Sequence, residues 1–119
     1  MPRIAPDIFR KRYLIEGFFR RDPLDGETLR EYFGVITSRL GLTTYAEPII
    51  HHTGGKGKPE NQGYDAFVPL ISSGIYVCVW SGPRFISVVL YACDPFDEQR
   101  ALAVTRQFFG IDETDAFLF

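Results

Sequence analysis

The sequence predicts an α+β fold, a two-layer sandwich in which an antiparallel sheet carries two helices on one face, in the order β-α-β-β-β-α-β. The other sheet face is expected to be buried in a dimer. Three observations point there. Residues 75–80 (IYVCVW) and 84–91 (RFISVVLY) are β-branched and aromatic runs around the turn Ser81-Gly82-Pro83. Residues 26–41 place Leu29, Tyr32, Phe33, Ile36 and Leu40 at helical spacing, with Thr28, Arg30, Glu31 and Arg39 opposite. The strands at 75–80 and 85–91 are apolar on both faces, whereas two helices cover only one face of an antiparallel sheet.

Along the chain, residues 1–10 read as an N-terminal arm and 11–119 as one domain. Residues 11–18 alternate and form the first strand. The helix at 26–41 stops at Gly41. Residues 43–50 (TTYAEPII) read as a second strand, whose Pro48 argues for an edge or an irregular end. The runs at 75–80 and 85–91 make a hairpin. Residues 97–109 follow Pro95, open with acidic residues and set Ala101, Val104 and Phe108 on one side, which gives a second helix. The aromatic tail 114–119 is a candidate edge strand.

Composition narrows the function. Thirteen basic against fifteen acidic residues leave a formal charge of −2, so there is no electrostatic case for nucleic acid or an anionic membrane. No window reaches the roughly eighteen apolar residues that span a bilayer, and the charges at 1–13 lack a following signal-peptide core. A cytoplasmic location is expected, with Cys78 and Cys93 as free thiols. Aromatics make up 15% of the chain, with eleven phenylalanines, and that apolar excess again favours a homodimer or docking onto a larger complex.

If the two hairpin strands pair about their turn, opposed residues have numbers summing to about 165. Ser73 and Cys93 then lie side by side where the ladder ends, and Cys78 lies opposite Ser87. Read alone, Ser73 in Ser-Ser-Gly also suits an ordinary turn, Cys93 a small buried hydrophobe, and Tyr76, Cys78 and Trp80 an aromatic stripe of core or interface.

Residues 61–93 (NQGYDAFVPLISSGIYVCVWSGPRFISVVLYAC) resemble the central segment of the prokaryotic S-adenosylmethionine decarboxylases, pyruvoyl enzymes of polyamine synthesis, and residues 12–18 (RYLIEGF) resemble that family's opening strand. In the family a self-processing serine opens a strand, a tryptophan ends it and a cysteine closes the next. Ser73, Trp80 and Cys93 keep those spacings. The resemblance implies that Ser73 is the precursor of a pyruvoyl cofactor, an electron sink for decarboxylation of an amine substrate, with Cys93 as proton donor and Trp80 beside the substrate. The family's assisting histidine falls at Cys78 and a nearby serine at Asp65, a residue able to serve as the base. The flanking glutamate and histidine fall at Ser72 and Gly74, and a ribose-binding carboxylate at Gly82. A substrate carboxylate needs a cation or amide donors, for which Arg84, Asn61, Gln62 and Lys56 are candidates. The reading is thus a pyruvoyl-dependent decarboxylase-like protein acting on S-adenosylmethionine or an amino acid. Its alternative is an unprocessed homologue serving as a binding, regulatory or assembly subunit.

The thirteen residues 51–63 (HHTGGKGKPENQG) read as a structureless loop. Its glycines and lysines suggest a phosphate cradle without the Walker ending, and its adjacent histidines a metal site without a third ligand at spacing; no metal is assigned. A lid or partner contact near the Ser73 end of the hairpin, and a plain solvated loop, are the other readings.

Overall fold

In the computed structural model, which describes residues 3–119, six strands form one sheet in the order β2-β3-β4-β5-β1-β6. The elements are β1 (Lys11–Phe19), α1 (Gly26–Leu40), β2 (Ile49–His52), β3 (Gly63–Leu70), β4 (Ser73–Trp80), β5 (Phe85–Ala92), α2 (Glu98–Phe109) and β6 (Ile111–Leu118). Every neighbouring pair is antiparallel. The first strand therefore ends up inside the sheet, between β5 and the last strand.

Each helix is bounded by its own residues. Asp25 caps α1, accepting from the Thr28 amide at 3.0 Å, while Thr28 Oγ1 accepts from the Asp25 amide, a reciprocal box that satisfies otherwise orphaned donors. Asp97 caps α2 by accepting from the Arg100 amide at 3.1 Å, without a reciprocal bond. Both helices end on glycines in the left-handed region, Gly41 at φ 68° and Gly110 at φ 69°, where a Cβ would be strained.

The core lies between the helices and one sheet face. Ile15, Val68, Ile75, Val77, Ile86, Val88 and Leu90 from the strands meet Leu29, Tyr32, Phe33, Ile36, Ala101 and Phe109 from the helices. Strand alternation leaves the other face free of helix, and there Phe18, Ile49, Phe67, Tyr76, Tyr91 and Phe117 are exposed. The expected two-layer sandwich with both helices on one face is what forms.

Several element bounds differ from expectation. Residues 63–70, not counted among the strands from sequence, form β3, whose alternation of Ala66, Val68 and Leu70 with Asp65, Phe67 and Pro69 is that of a half-buried strand. Most of 43–50 is not strand. Thr44 makes one bridge to Leu70 and Tyr45 donates to the Pro69 carbonyl at 2.9 Å; ladder pairing resumes only at Ile49, after Pro48, which has no N–H to give. The loop 51–63 is shorter and more ordered than expected. His51 and His52 belong to β2, residues 59–61 form a 3-10 turn, and the Gln62 amide pins the loop by donating to the carbonyls of Lys56 and Lys58 and accepting from the Gly55 amide at 2.7 Å. The tail strand begins three residues earlier than expected, at Ile111.

One polar pair joins the two helices inside this core. Tyr32 Oη and Thr105 Oγ1 are 2.8 Å apart and both side chains are buried; burial, opposed by that bond, drives the Tyr32 hydroxyl far above its ordinary pKa. Tyr32→Phe strands the threonine hydroxyl and is expected to cost about 1–3 kcal/mol in urea unfolding, whereas Tyr32→Phe combined with Thr105→Val costs less than the two single changes together.

Candidate active site at the β4–β5 strand end

Ser73 is the first residue of β4 and pairs with Leu70 across a two-residue turn made by Ile71 and Ser72. Ser72 sits at φ 54°, in the left-handed region that a residue bearing a Cβ adopts at a cost of about 1–3 kcal/mol. The left-handed residue thus immediately precedes Ser73. Across the hairpin Gly74 faces Tyr91 and Cys78 faces Ser87, the register expected from sequence. The Cys93 amide donates to Ser73 Oγ at 3.1 Å, so the two residues meet. The contact is made by the cysteine's backbone, because Ser73 shares the parity of core-facing Ile75 and Val77 while Cys93 lies just past the end of β5.

Next to Ser73 on the helix-free face is a recess of about 300 Å³, lined by Phe67, Ser72, Ser73, Gly74, Tyr76, Val89 and Tyr91. Gly74 is its floor. A Cβ there would lie 2.6 Å from the Phe67 ring. Sequence reasoning named none of Phe67, Gly74 and Tyr91 as site residues. The signal was present in the register, which sets Gly74 beside Tyr91, but Phe67 needed the β3 strand to be recognised.

A second cluster lies farther along the same strands. Asp65 of β3 faces Cys78 of β4 on one side and His51 of β2 on the other. Burial is the main cause that pushes the Cys78 thiol up, the Tyr76 hydroxyl opposes it, and the Asp65 carboxylate adds to it. Tyr76 is itself pushed up to about 12, chiefly by its hydrogen bond to Cys78 and then by burial. Cys78 is held as a neutral thiol, which disfavours it as a base. Cys78 stands five residues from Ser73 along one extended strand, roughly 17 Å at about 3.3 Å per residue, too far for proton transfer within one chain.

The other expected site residues gather at the far end of the hairpin. Trp80 ends β4, its ring tilted on Phe85 and its Nε1 donating to Asn61 at 3.1 Å. Arg84, at φ 61°, spends its guanidinium on the carbonyls of Phe19, Arg20 and Arg21 at 2.9–3.3 Å and lies over the Phe19 ring. The structure gives Arg84 a turn-locking role and Gln62 a loop-pinning one. The 53–62 loop is at this Trp80 end, not the Ser73 end where a lid was expected. The adjacent histidines diverge as strand neighbours do, His51 beside Asp65 and His52 against the Tyr64 ring at 4.9 Å. Among the described residues no three His, Cys, Asp or Glu side chains cluster as a metal site.

The sequence matches no family model and no curated protein. Among solved structures the chain is similar to the adenosylmethionine decarboxylase from Aquifex aeolicus VF5, with a TM-score of 0.76 over 94% of this chain and 89% of that one, at 19% identity. The two share a fold. No helix among the described residues is long and apolar enough to cross a membrane.

The state of Cys78 is measurable. In a Cys93→Ala background its alkylation by iodoacetamide is expected to rise with pH to a midpoint above the ordinary thiol value of 9.0, because burial and the Asp65 charge both disfavour thiolate. Asp65→Asn is expected to lower that midpoint, and an unchanged midpoint would remove Asp65 from the cluster.

Proposed function

We propose that this protein is a pyruvoyl-dependent decarboxylase-like enzyme that generates its cofactor from Ser73. The observation that carries the reading is Ser73 at the start of β4, preceded by the left-handed Ser72 and held by the Cys93 amide beside an aromatic recess, on a scaffold shared with an adenosylmethionine decarboxylase. In processing, Ser73 Oγ attacks the Ser72 carbonyl and the C–N bond breaks, giving an ester. Loss of the Ser73 α-proton then expels residues 1–72 as a carboxylate, and water replaces the nitrogen, released as ammonia, to leave a ketone.

The recess fits such a group, since a ketone at the start of β4 adjoins open space floored by Gly74. Bound there, the pyruvoyl group supplies an electron sink for loss of carbon dioxide from an amine substrate. Cys93 is the proposed proton donor to the substrate carbon. Asp65 is the proposed base for α-proton removal, and its distance from Ser73 along the sheet requires that it act across a homodimer. The helix-free face, with Phe18, Phe67, Tyr76 and Phe117 exposed, is the surface a second copy covers.

A second reading, an unprocessed binding, regulatory or assembly subunit, is favoured by two observations. Cys78, at the position of the family's assisting histidine, is held as a neutral thiol, and Arg84 is committed to structure.

Intact mass under denaturing conditions separates the two. Fragments 1–72 and 73–119, the second bearing a carbonyl, are expected, with Ser73→Ala leaving one full-length chain and Asp65→Asn slowing cleavage by about 10²–10⁴-fold. A wild-type chain that stays whole on long incubation supports the second reading. By sedimentation the wild type is expected to be a dimer and Phe67→Lys a monomer.

A further inference from the structure

The recess beside Ser73 has a composition that selects a ligand. Three aromatic side chains converge on it, Phe67, Tyr76 and Tyr91, left 36%, 45% and 39% exposed by the rest of the chain. Its floor is the backbone of Gly74, between the Phe67 ring on one neighbouring strand and Tyr91 on the other. No charged side chain lines it; its remaining lining residues are Ser72, Ser73 and Val89. A volume of about 300 Å³ lies at the small end of the range for ligand sites, about 300–1,000 Å³, enough for one ring and a short chain.

A glycine floor between aromatic walls is a flat slot. Planar groups gain there from offset or edge contacts with the surrounding rings, and an attached ammonium gains from the ring faces; a flexible aliphatic chain gains less from either geometry. A ligand depending on ion pairs at both ends finds no partner within the recess. We infer that the slot over Gly74 binds a small primary amine bearing a single aromatic ring, so that the substrate class of the enzyme is an aromatic amino acid. The substrate class rests on the proposed function. The slot's selectivity for a ring does not.

The test is therefore a binding measurement on the Ser73→Ala chain, which stays whole whether or not the wild type processes itself. Phenethylamine, butylamine and putrescine are titrated while backbone amide shifts are followed by NMR. Phenethylamine is expected to shift the amides of Ser72, Gly74 and Tyr91 and to bind about ten-fold tighter than butylamine or putrescine. Gly74→Ala, whose methyl fills the floor, is expected to abolish the preference. Tyr91→Leu, at a partly exposed position, is expected to weaken phenethylamine about ten-fold without lowering the melting temperature, and it carries the test if Gly74→Ala does not fold. Equal affinities for the three amines, shifts confined to another surface, or no binding because a second copy's side chain fills the slot would each overturn the inference. Aryl selectivity in a chain whose wild type never cleaves would leave the inference standing and defeat the decarboxylase reading.

Discussion

The pairing of β4 with β5 sets what every other part of the molecule must do. Its register puts Ile75, Val77 and Val79 on the same face as Ile86, Val88 and Leu90, and a slip of one residue would exchange that buried set for Tyr76, Cys78 and Trp80. The helices cover the first set. Because α1 and α2 are joined through Tyr32 and Thr105 and packed through Tyr32, Phe108 and Phe109, they form one lid over one face and have nothing left for the other. The same register brings the start of β4 to the end of β5, so the contact between Ser73 and Cys93 follows from core packing.

The uncovered face is not uniformly apolar. Following the ladder partners across the sheet gives a continuous polar row, His51, Asp65, Cys78, Ser87, Glu16 and Asp115, with Ser87 donating to Glu16 at 2.8 Å. Beside it runs an apolar row, Ile49, Phe67, Tyr76, Val89, Leu14 and Phe117. A purely structural interface has little use for ionisable groups in its middle, since each one buried unpaired is costly. The proposed dimer and the proposed chemistry would together use both rows.

Two residues illustrate how the fold, and not the side chain alone, sets a residue's role. Arg84 is a free cation near the hairpin when read in sequence; in space it ties three carbonyls at the end of β1 to the β4–β5 turn. Gly74 carries no functional group, yet its missing side chain makes the recess, because strands on both sides bring aromatic rings to its edges.

Local patterns by themselves determined the α+β class, both helices and the stop of the first at Gly41, the central hairpin and its register, and the meeting of Ser73 with Cys93. These depend on periodicity, capping residues and a short turn, all of which act within a few residues. Tertiary structure alone decided that β1 lies inside the sheet and that residues 63–70 rather than 43–48 supply the long strand beside β4. The reason is physical. Strand partners are chosen by contacts between residues far apart in the chain, and a side chain's role is set by which neighbours those contacts bring within reach.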